Sequence, residues 1–318
     1  MIARLDNLRK HPVVFQHLTG VPVAAFDELA AAVVPAAEAA HRQTLDRPNR
    51  KRAVGGGDTF DLTTADHLLL TVIWLRQYPT NEVLGFLFGV SDSTASRARA
   101  RCVPVLERAG KGTMRMPDPG AARRKRLPAL LEDTPGLAVA IDTFEQRTRR
   151  PKRRQRAYYS GKKKAHTLKS QVAVDEESGR FVDVSDSVPG RWADSKLLKR
   201  SRLMKRLPAG VGGIGDLGYT GIRDLYASGA CPRRKPRGKP RPPEDVRYNR
   251  AFSRRRVVVE HALARLRRFR AVSDVNRHRR KGHAMGVRAV AGLVNRMLDH
   301  RTASRTPPGR GANPLLLS

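Results

Sequence analysis

Three acids stand out in a chain whose other charges are overwhelmingly positive. Asp142 closes the apolar run Leu137-Ala138-Val139-Ala140-Ile141, and Asp216 closes Val211-Gly212-Gly213-Ile214-Gly215. Glu260 follows Val257-Val258-Val259 within a stretch rich in arginine. A carboxylate at the end of a buried strand cannot stay fully hydrated. It must pair with Lys or Arg, accept backbone N–H groups, or bind a cation. Spacing alone leaves ion pairing and cation binding both open. Arg256 and Arg267 stand four before and seven after Glu260, which on a helix puts both near its face. They are either phosphate clamps or partners of Glu260.

Residues 147–169 hold eleven Lys or Arg and no acid, and Lys162, Lys163 and Lys164 fall between the first two acids in sequence. A run of like charge is either a solvated loop or a contact for phosphate; we read this one as a DNA contact. The remaining acids read as accessory. Asp194, ahead of Lys196-Leu197-Leu198, is expected to cap a helix or to support the three acids from behind. Glu145 is expected to pair with Arg147 or Arg149 at a strand edge, and Asp175 and Asp183 to be solvated at a hairpin. His166 has no second His or Cys at metal spacing and reads as structural.

The elements that must position these groups fall into two kinds. The first 110 residues read as helical, with Pro35 expected to kink or break an Ala- and Val-rich helix over 21–40. Gly55-Gly56-Gly57 marks a junction, and Thr63 or Thr64 can cap the helix carrying Leu68, Leu69, Val72, Ile73 and Leu75. Residues 80–106 then hold a short amphipathic helix (Val83, Leu84, Leu87, Phe88), a turn at Gly89, and a second helix capped by Ser91. That second helix exposes Ser93, Ser96, Arg97 and Arg101, the pattern of a helix-turn-helix with a Ser- and Arg-rich recognition helix. An ordinary helical hairpin with a solvated basic face is the alternative.

Residues 111–134 read as a basic linker around Arg123-Arg124-Lys125-Arg126. Beyond it the periodicity changes. Strands are expected at 137–141 and 211–215, a hairpin at 166–175 and 181–184, a Pro-rich extended loop at 231–243, and a helix over 252–269. Strands alternating with helices imply a mixed α/β core over 135–300, and residues 301–318 read as a disordered tail.

Composition bounds the partner. Lys and Arg number 63 against 29 Asp and Glu, a formal charge of +34 in 318 residues. Such a chain is drawn to polyanions and releases counterions for every phosphate it neutralises, so nucleic acid is the expected partner. Aromatics are only 5% of residues, which disfavours single-strand binding on stacked bases and leaves duplex contact. The apolar fraction of 40% suffices for a core. The opening residues lack the apolar run of a secretory signal, and no stretch reaches membrane-span length. Two distant cysteines, Cys102 and Cys231, exclude a disulfide framework and fit a reducing cytoplasm.

The segments YYSGKKKAHTLKSQVAVD, GDLGYTG and RVVVEHALARLRRF, in that order, resemble the DDE transposases of bacterial insertion sequences, in the insertion-sequence-five group related to Harbinger elements. The resemblance runs from about residue 60 to 300. It makes Asp142, Asp216 and Glu260 the three acids, separated by 74 and 44 residues. Asp216, Gly218 and Tyr219 match the signature of the second acid; Arg256 and Arg267 match that of the third, with Ser253 replacing a frequent Tyr. After the first acid, Thr143-Phe144-Glu145 keeps the family's Glu and lacks its Gly.

The resemblance implies a ribonuclease-H-like catalytic core preceded by an all-α helix-turn-helix domain. It also implies binding to terminal inverted repeats, and cleavage and strand transfer by two Mg²⁺ or Mn²⁺ ions held by Asp142, Asp216 and Glu260. A homodimer on double-stranded DNA, in the cytoplasm at the nucleoid, and no membrane partner follow from it. Two ions can activate the attacking oxygen and stabilise the leaving one, so neither Ser160 nor Tyr159 is needed as a nucleophile. The alternative is a non-catalytic, domesticated derivative that binds DNA as a repressor.

Overall fold

The computed structural model describes residues 3–46, 62–120 and 127–305. The expected glycine junction at 55–57 and the basic cluster at 123–126 lie outside the described residues. The N-terminal part is all helical: α1 (Leu5–Leu8), α2 (Pro12–Thr19), α3 (Val23–Leu45), α4 (Thr64–Gln77), α5 (Asn81–Phe88) and α6 (Asp92–Lys111). Pro35 does not break α3, which runs through it. Among the described residues no single helix is long and apolar enough to cross a membrane; α2 and α3 reach that composition only as a pair bent by 60°.

Capping follows the sequence closely. Thr63 and Asp66 form a reciprocal box at the start of α4, Thr80 caps α5, and Ser91 caps α6. Each hydroxyl satisfies an N–H that the first helical turn leaves free. Gly89, at φ 67°, turns α5 into α6. Buried Arg99 locks the unit, donating to Asn81 at 2.6 Å while its guanidinium lies 4.5 Å from the Trp74 ring centroid.

The second part holds β1 (Leu137–Arg147), α7 (Gln155–Tyr158), β2 (Tyr159–Ser160), β3 (Ala165–Asp175), β4 (Phe181–Val184) and β5 (Val188–Pro189). It continues with α8 (Asp194–Ser201), α9 (Leu203–Arg206), β6 (Val211–Ile214), α10 (Ile222–Leu225), β7 (Gly229–Ala230), α11 (Pro243–Arg267), α12 (Arg270–Ser273) and α13 (His283–Arg305). The sheet order is β2-β3-β1-β6-β7, with β4 and β5 also paired to β3. β3 is antiparallel to β1, whereas β6 and β7 run parallel to it. This is a mixed α/β sheet of the kind a ribonuclease-H-like core requires.

Alternate residues of the strands feed two cores. Ala138, Ala140, Phe144 and Ile214 pack beneath Phe252, Val259 and Leu263 of α11. Leu137, Val139, Ile141 and Val211 pack on the opposite side with Leu198, Leu203 and Tyr219. The first core is continuous with the N-terminal helices. At that junction Gly110 of α6 meets Gly292 of α13 backbone to backbone, and a Cβ on Gly292 would overlap Gly110 Cα.

Several boundaries differ from expectation. β1 does not stop at Asp142 but continues five residues, because β3 pairs with it through Arg147 while β6 leaves after Ile214. The helix expected from residue 252 starts at Pro243, where two prolines suit a helix's first turn. α6 reaches Lys111 and α13 reaches Arg305, into the segments expected to be linker and tail. Residues 306–318 lie outside the described residues.

Candidate active site

Asp142 and Asp216 are set by strand register. The ladder pairs Leu137 with Val211 and Ala140 with Ile214, an offset of 74, and the same offset relates the two acids just past its last rung. In-register residues of neighbouring strands point to the same face. β6 ends there, so the acids sit in the opening where β1 and β6 part, at the carboxyl end of β6. That is the usual ligand crevice of an α/β sheet.

Asp142 accepts the Thr143 N–H at 2.7 Å, and Asp216 accepts the Gly218 N–H at 2.9 Å. Glu260 is exposed on α11, which packs across this face of β1. Burial pushes the Asp142 carboxyl up to about 6. Arg256 and the Thr143 N–H pull against that shift, and Asp216 and Glu260 add to it. Both other acids therefore act electrostatically on Asp142.

Arg256 faces Asp142, not Glu260. Its Nη2 lies 3.7 Å from Asp142 Oδ2, beyond hydrogen-bond range, and its buried Nε and Nη2 have no hydrogen-bond partner. Arg255, next to it, is consumed structurally, gripping Glu176 with two nitrogens and donating to Thr134 and Pro135. Arg267 is exposed two turns beyond Glu260 and makes no ion pair among the described residues.

The remaining acids behave differently from expectation. Asp194 does not cap α8. Ala193 is the N-cap, no side chain caps that end, and Asp194 is the first helical residue. Its Oδ1 accepts from Thr143 Oγ1 at 2.9 Å and from Lys169 Nζ at 2.8 Å. Glu145 pairs with Lys169 at 3.5 Å rather than with Arg147 or Arg149, and accepts from Thr167. The register explains it, since Glu145 sits opposite Lys169 on β3. Asp175 is bound into its turn by Glu177 N–H and Ser178, and Asp183 pairs with Arg206 at 2.9 Å. Lys169 was the residue missed by sequence. A lysine alternating with apolar residues in a strand, across from a glutamate, was its only signal.

A divalent cation suits this donor set. The acids offer hard oxygens, and the repulsion that Asp216 and Glu260 exert on buried Asp142 is what a cation relieves. Among the described residues, no three His, Cys, Asp or Glu side chains already stand close enough to form a closed metal site.

The recognition surface is narrower than its sequence suggests. Ser93 and Arg97 are exposed one turn apart on α6, with Arg97 Nη2 3.4 Å from Ser93 Oγ. Ser96 is half-buried in a cavity it shares with Trp74, Arg99 and His278. Arg101 is half-buried, close enough to His41 and His67 for its charge to act on both. Lys162, Lys163 and Lys164 lie exposed in the turn between β2 and β3.

Residues 141–295 match the family model described as a DDE superfamily endonuclease, and residues 60–112 match the helix-turn-helix of DDE superfamily endonuclease. The chain is 29% identical over 234 residues to a probable transposase for insertion sequence element IS702 from Microchaete diplosiphon. That alignment covers 74% of this chain and 80% of the relative. No solved structure matches it.

Proposed function

Given that the chain belongs to the DDE transposases of insertion sequences, we propose that it binds the terminal inverted repeats of its element and cuts and joins DNA there. The observation that carries this reading is Asp142 on β1, with Asp216 just past the end of β6 and Glu260 on α11 both near enough for their charge to act on it. Asp142, Asp216 and Glu260 would hold Mg²⁺ or Mn²⁺. The chemistry such ions supply when bound is activation of the attacking oxygen and stabilisation of the leaving one.

The chain's own groups do the positioning. Arg256, with two buried nitrogens unpartnered, offers a charged donor to a phosphate oxygen beside Asp142. Lys162, Lys163 and Lys164 meet the DNA backbone, and Arg267 extends that contact beyond Glu260. Ser93 and Arg97 enter the major groove, with Ser96 and Arg101 supporting the recognition helix at its edges. In the first reaction water attacks phosphorus, the bond to the 3′ oxygen breaks, and the element's end is left with a 3′-OH. In the second, that hydroxyl attacks a target phosphodiester, and the target's own 3′ oxygen leaves. A homodimer on DNA would hold two ends together, acting in the cytoplasm on the nucleoid.

One observation favours a second reading, a DNA-binding derivative whose acids only make ion pairs: Arg256 stands beside Asp142. At 3.7 Å and without a hydrogen bond, that pair is weaker than the charge-assisted contacts that fix a structural carboxylate. Incubating the protein with labelled end DNA and Mg²⁺ separates the two. Nicking that disappears in Asp142→Asn, Asp216→Asn and Glu260→Gln, with DNA binding retained, supports the enzyme. Absence of nicking, or nicking indifferent to all three substitutions, leaves the derivative.

A further inference from the structure

We infer that the segment between β7 and α11, residues 234–241, enters the minor groove of duplex DNA and selects A·T-rich sequence there. This rests on the reading of the chain as a transposase bound to DNA, and gives it a second point of sequence selection besides the helix-turn-helix.

Residues 232–243 consist only of Pro, Arg, Lys and Gly. From Lys235 to Arg241 every second residue is a cation, and Pro236, Gly238 and Pro240 stand between them. The foot of this arm is fixed. Arg233 donates its backbone N–H to Asn249 Oδ1 at 2.8 Å and accepts from Asn249 Nδ2 at 3.0 Å. Its guanidinium pairs with Asp245 at 3.1 Å and lies 4.1 Å from the Tyr248 ring centroid. The far end enters α11 at Pro243. Between these anchors Arg234, Lys235, Arg237 and Lys239 are exposed, and none makes a hydrogen bond or ion pair among the described residues. Gly238 turns the tip at φ 72°, and a Cβ there would meet nothing within 4 Å. Uncompensated cations thus stand on a slender projection whose prolines fix φ, so that ordering it on a ligand costs little.

The arm leaves the sheet at the end where the site opens. β7 stops level with β6, Ala230 pairing with Ile214 while its carbonyl accepts the Gly215 N–H at 3.0 Å. Asp216 and the start of the arm therefore lie just past the ends of neighbouring strands. On α11, Asn249 at the arm's foot precedes Glu260 by about 16 Å of helical rise, on the order of five base pairs of duplex. Composition and shape decide the groove. The arm has no Asn, Gln, Ser, Thr or acid with which to read the major groove's donor and acceptor code. That groove, about 12 Å wide, takes a helix or a two-stranded ribbon, whereas a single strand with a glycine tip matches the minor groove, about 6 Å wide. A·T tracts narrow the minor groove and deepen its negative potential, which draws in Arg and Lys. In G·C pairs the guanine N2 amino group occupies its floor. A surface that only neutralised backbone phosphates would need the cations, but not a slender, proline-stiffened tip.

The experiment is fluorescence anisotropy of the full-length protein on duplexes of equal length that lack the element's ends. They differ in a central tract of A·T, G·C or inosine·cytosine pairs; the last keeps the major-groove face of G·C but has no N2 amino group in the minor groove. Wild type is expected to bind the A·T and inosine·cytosine tracts at least about fivefold more tightly than the G·C tract. Arg237→Ala combined with Lys239→Ala, at exposed positions without internal partners, is expected to abolish that preference. Alanine at Lys162, Lys163 and Lys164 is expected to weaken all the complexes and to keep it. Absence of the preference in wild type, an inosine·cytosine tract bound like G·C, or a double variant that retains the preference overturns the proposal. Each of these leaves the nuclease reading intact where end DNA is still nicked with Mg²⁺. Failure of wild type to bind any of the duplexes or the end DNA removes both.

Discussion

Asp142 on β1 and Asp216, two residues past the end of β6, stand at the same offset of 74 that pairs Ala140 with Ile214. A slip of one residue would turn Asp216 to the opposite face of the sheet. The apolar residues on both faces of β1 and β6 forbid that slip, so the core and the site are fixed by one register.

Substituting the buried acid should separate activity from stability. Asp142→Asn is expected to reduce Mg²⁺-dependent cleavage on the order of 10²–10³-fold, the scale for losing a preorganised electrostatic group. Burial raises this carboxyl from 3.8 to about 6 in the folded chain. The folded state therefore keeps a proton that the unfolded state has lost, and stability falls as pH rises through that window. Above it the ionised group costs roughly 1–3 kcal/mol. In chelator, Asp142→Asn should thus melt higher than wild type at pH 7.5 and equally below pH 3.8. A lower melting point at pH 7.5 contradicts this account.

His283 should contribute, with His278, to the loss of stability in acid. It is buried between Ser187 at 2.6 Å and Gln146 at 2.6 Å, and burial pushes its pKa down from 6.5 to about 4. The unfolded chain takes up a proton that the folded imidazole refuses, so this contribution is complete above pH 6.5 and is lost towards pH 4. Melting measured across that range should fall with pH, and His283→Gln should flatten the slope. An unchanged slope would remove His283 as one of its causes.

DNA contacts should divide by type. Arg97→Ala is expected to weaken binding to cognate ends by about 1–3 kcal/mol more than to random duplex, as loss of a base contact does. Replacing Lys162, Lys163 and Lys164 by alanine should weaken both alike and lower the salt dependence of binding. Equal loss on both DNAs for Arg97→Ala would take away the recognition role of α6.

The crossing of α6 and α13 should tolerate no side chain. Gly292→Ala forces backbone apart at Gly110 and is expected to cost about 1–3 kcal/mol, whereas Gly286→Ala, on the same helix with open space around it, should be neutral or stabilising. Chemical denaturation of the two variants compares them directly.

Local chemistry was legible in the residues themselves. Thr63, Ser91 and Gly89 announce their caps and turn because hydrogen bonding and φ preference act over three or four residues. The alternation in β3 and the apolar runs of β1 and β6 likewise declared strands, and the three acids stood out against a cationic chain. Tertiary structure decided what each charge faces. Arg256 turns to Asp142, Lys169 to Glu145 and Asp194, and Ser96 to the interior, because partners far apart in sequence are chosen by register and helix packing. Coulomb attraction is long-ranged and indifferent to sequence order; only the folded backbone selects which of many arginines and lysines comes within reach.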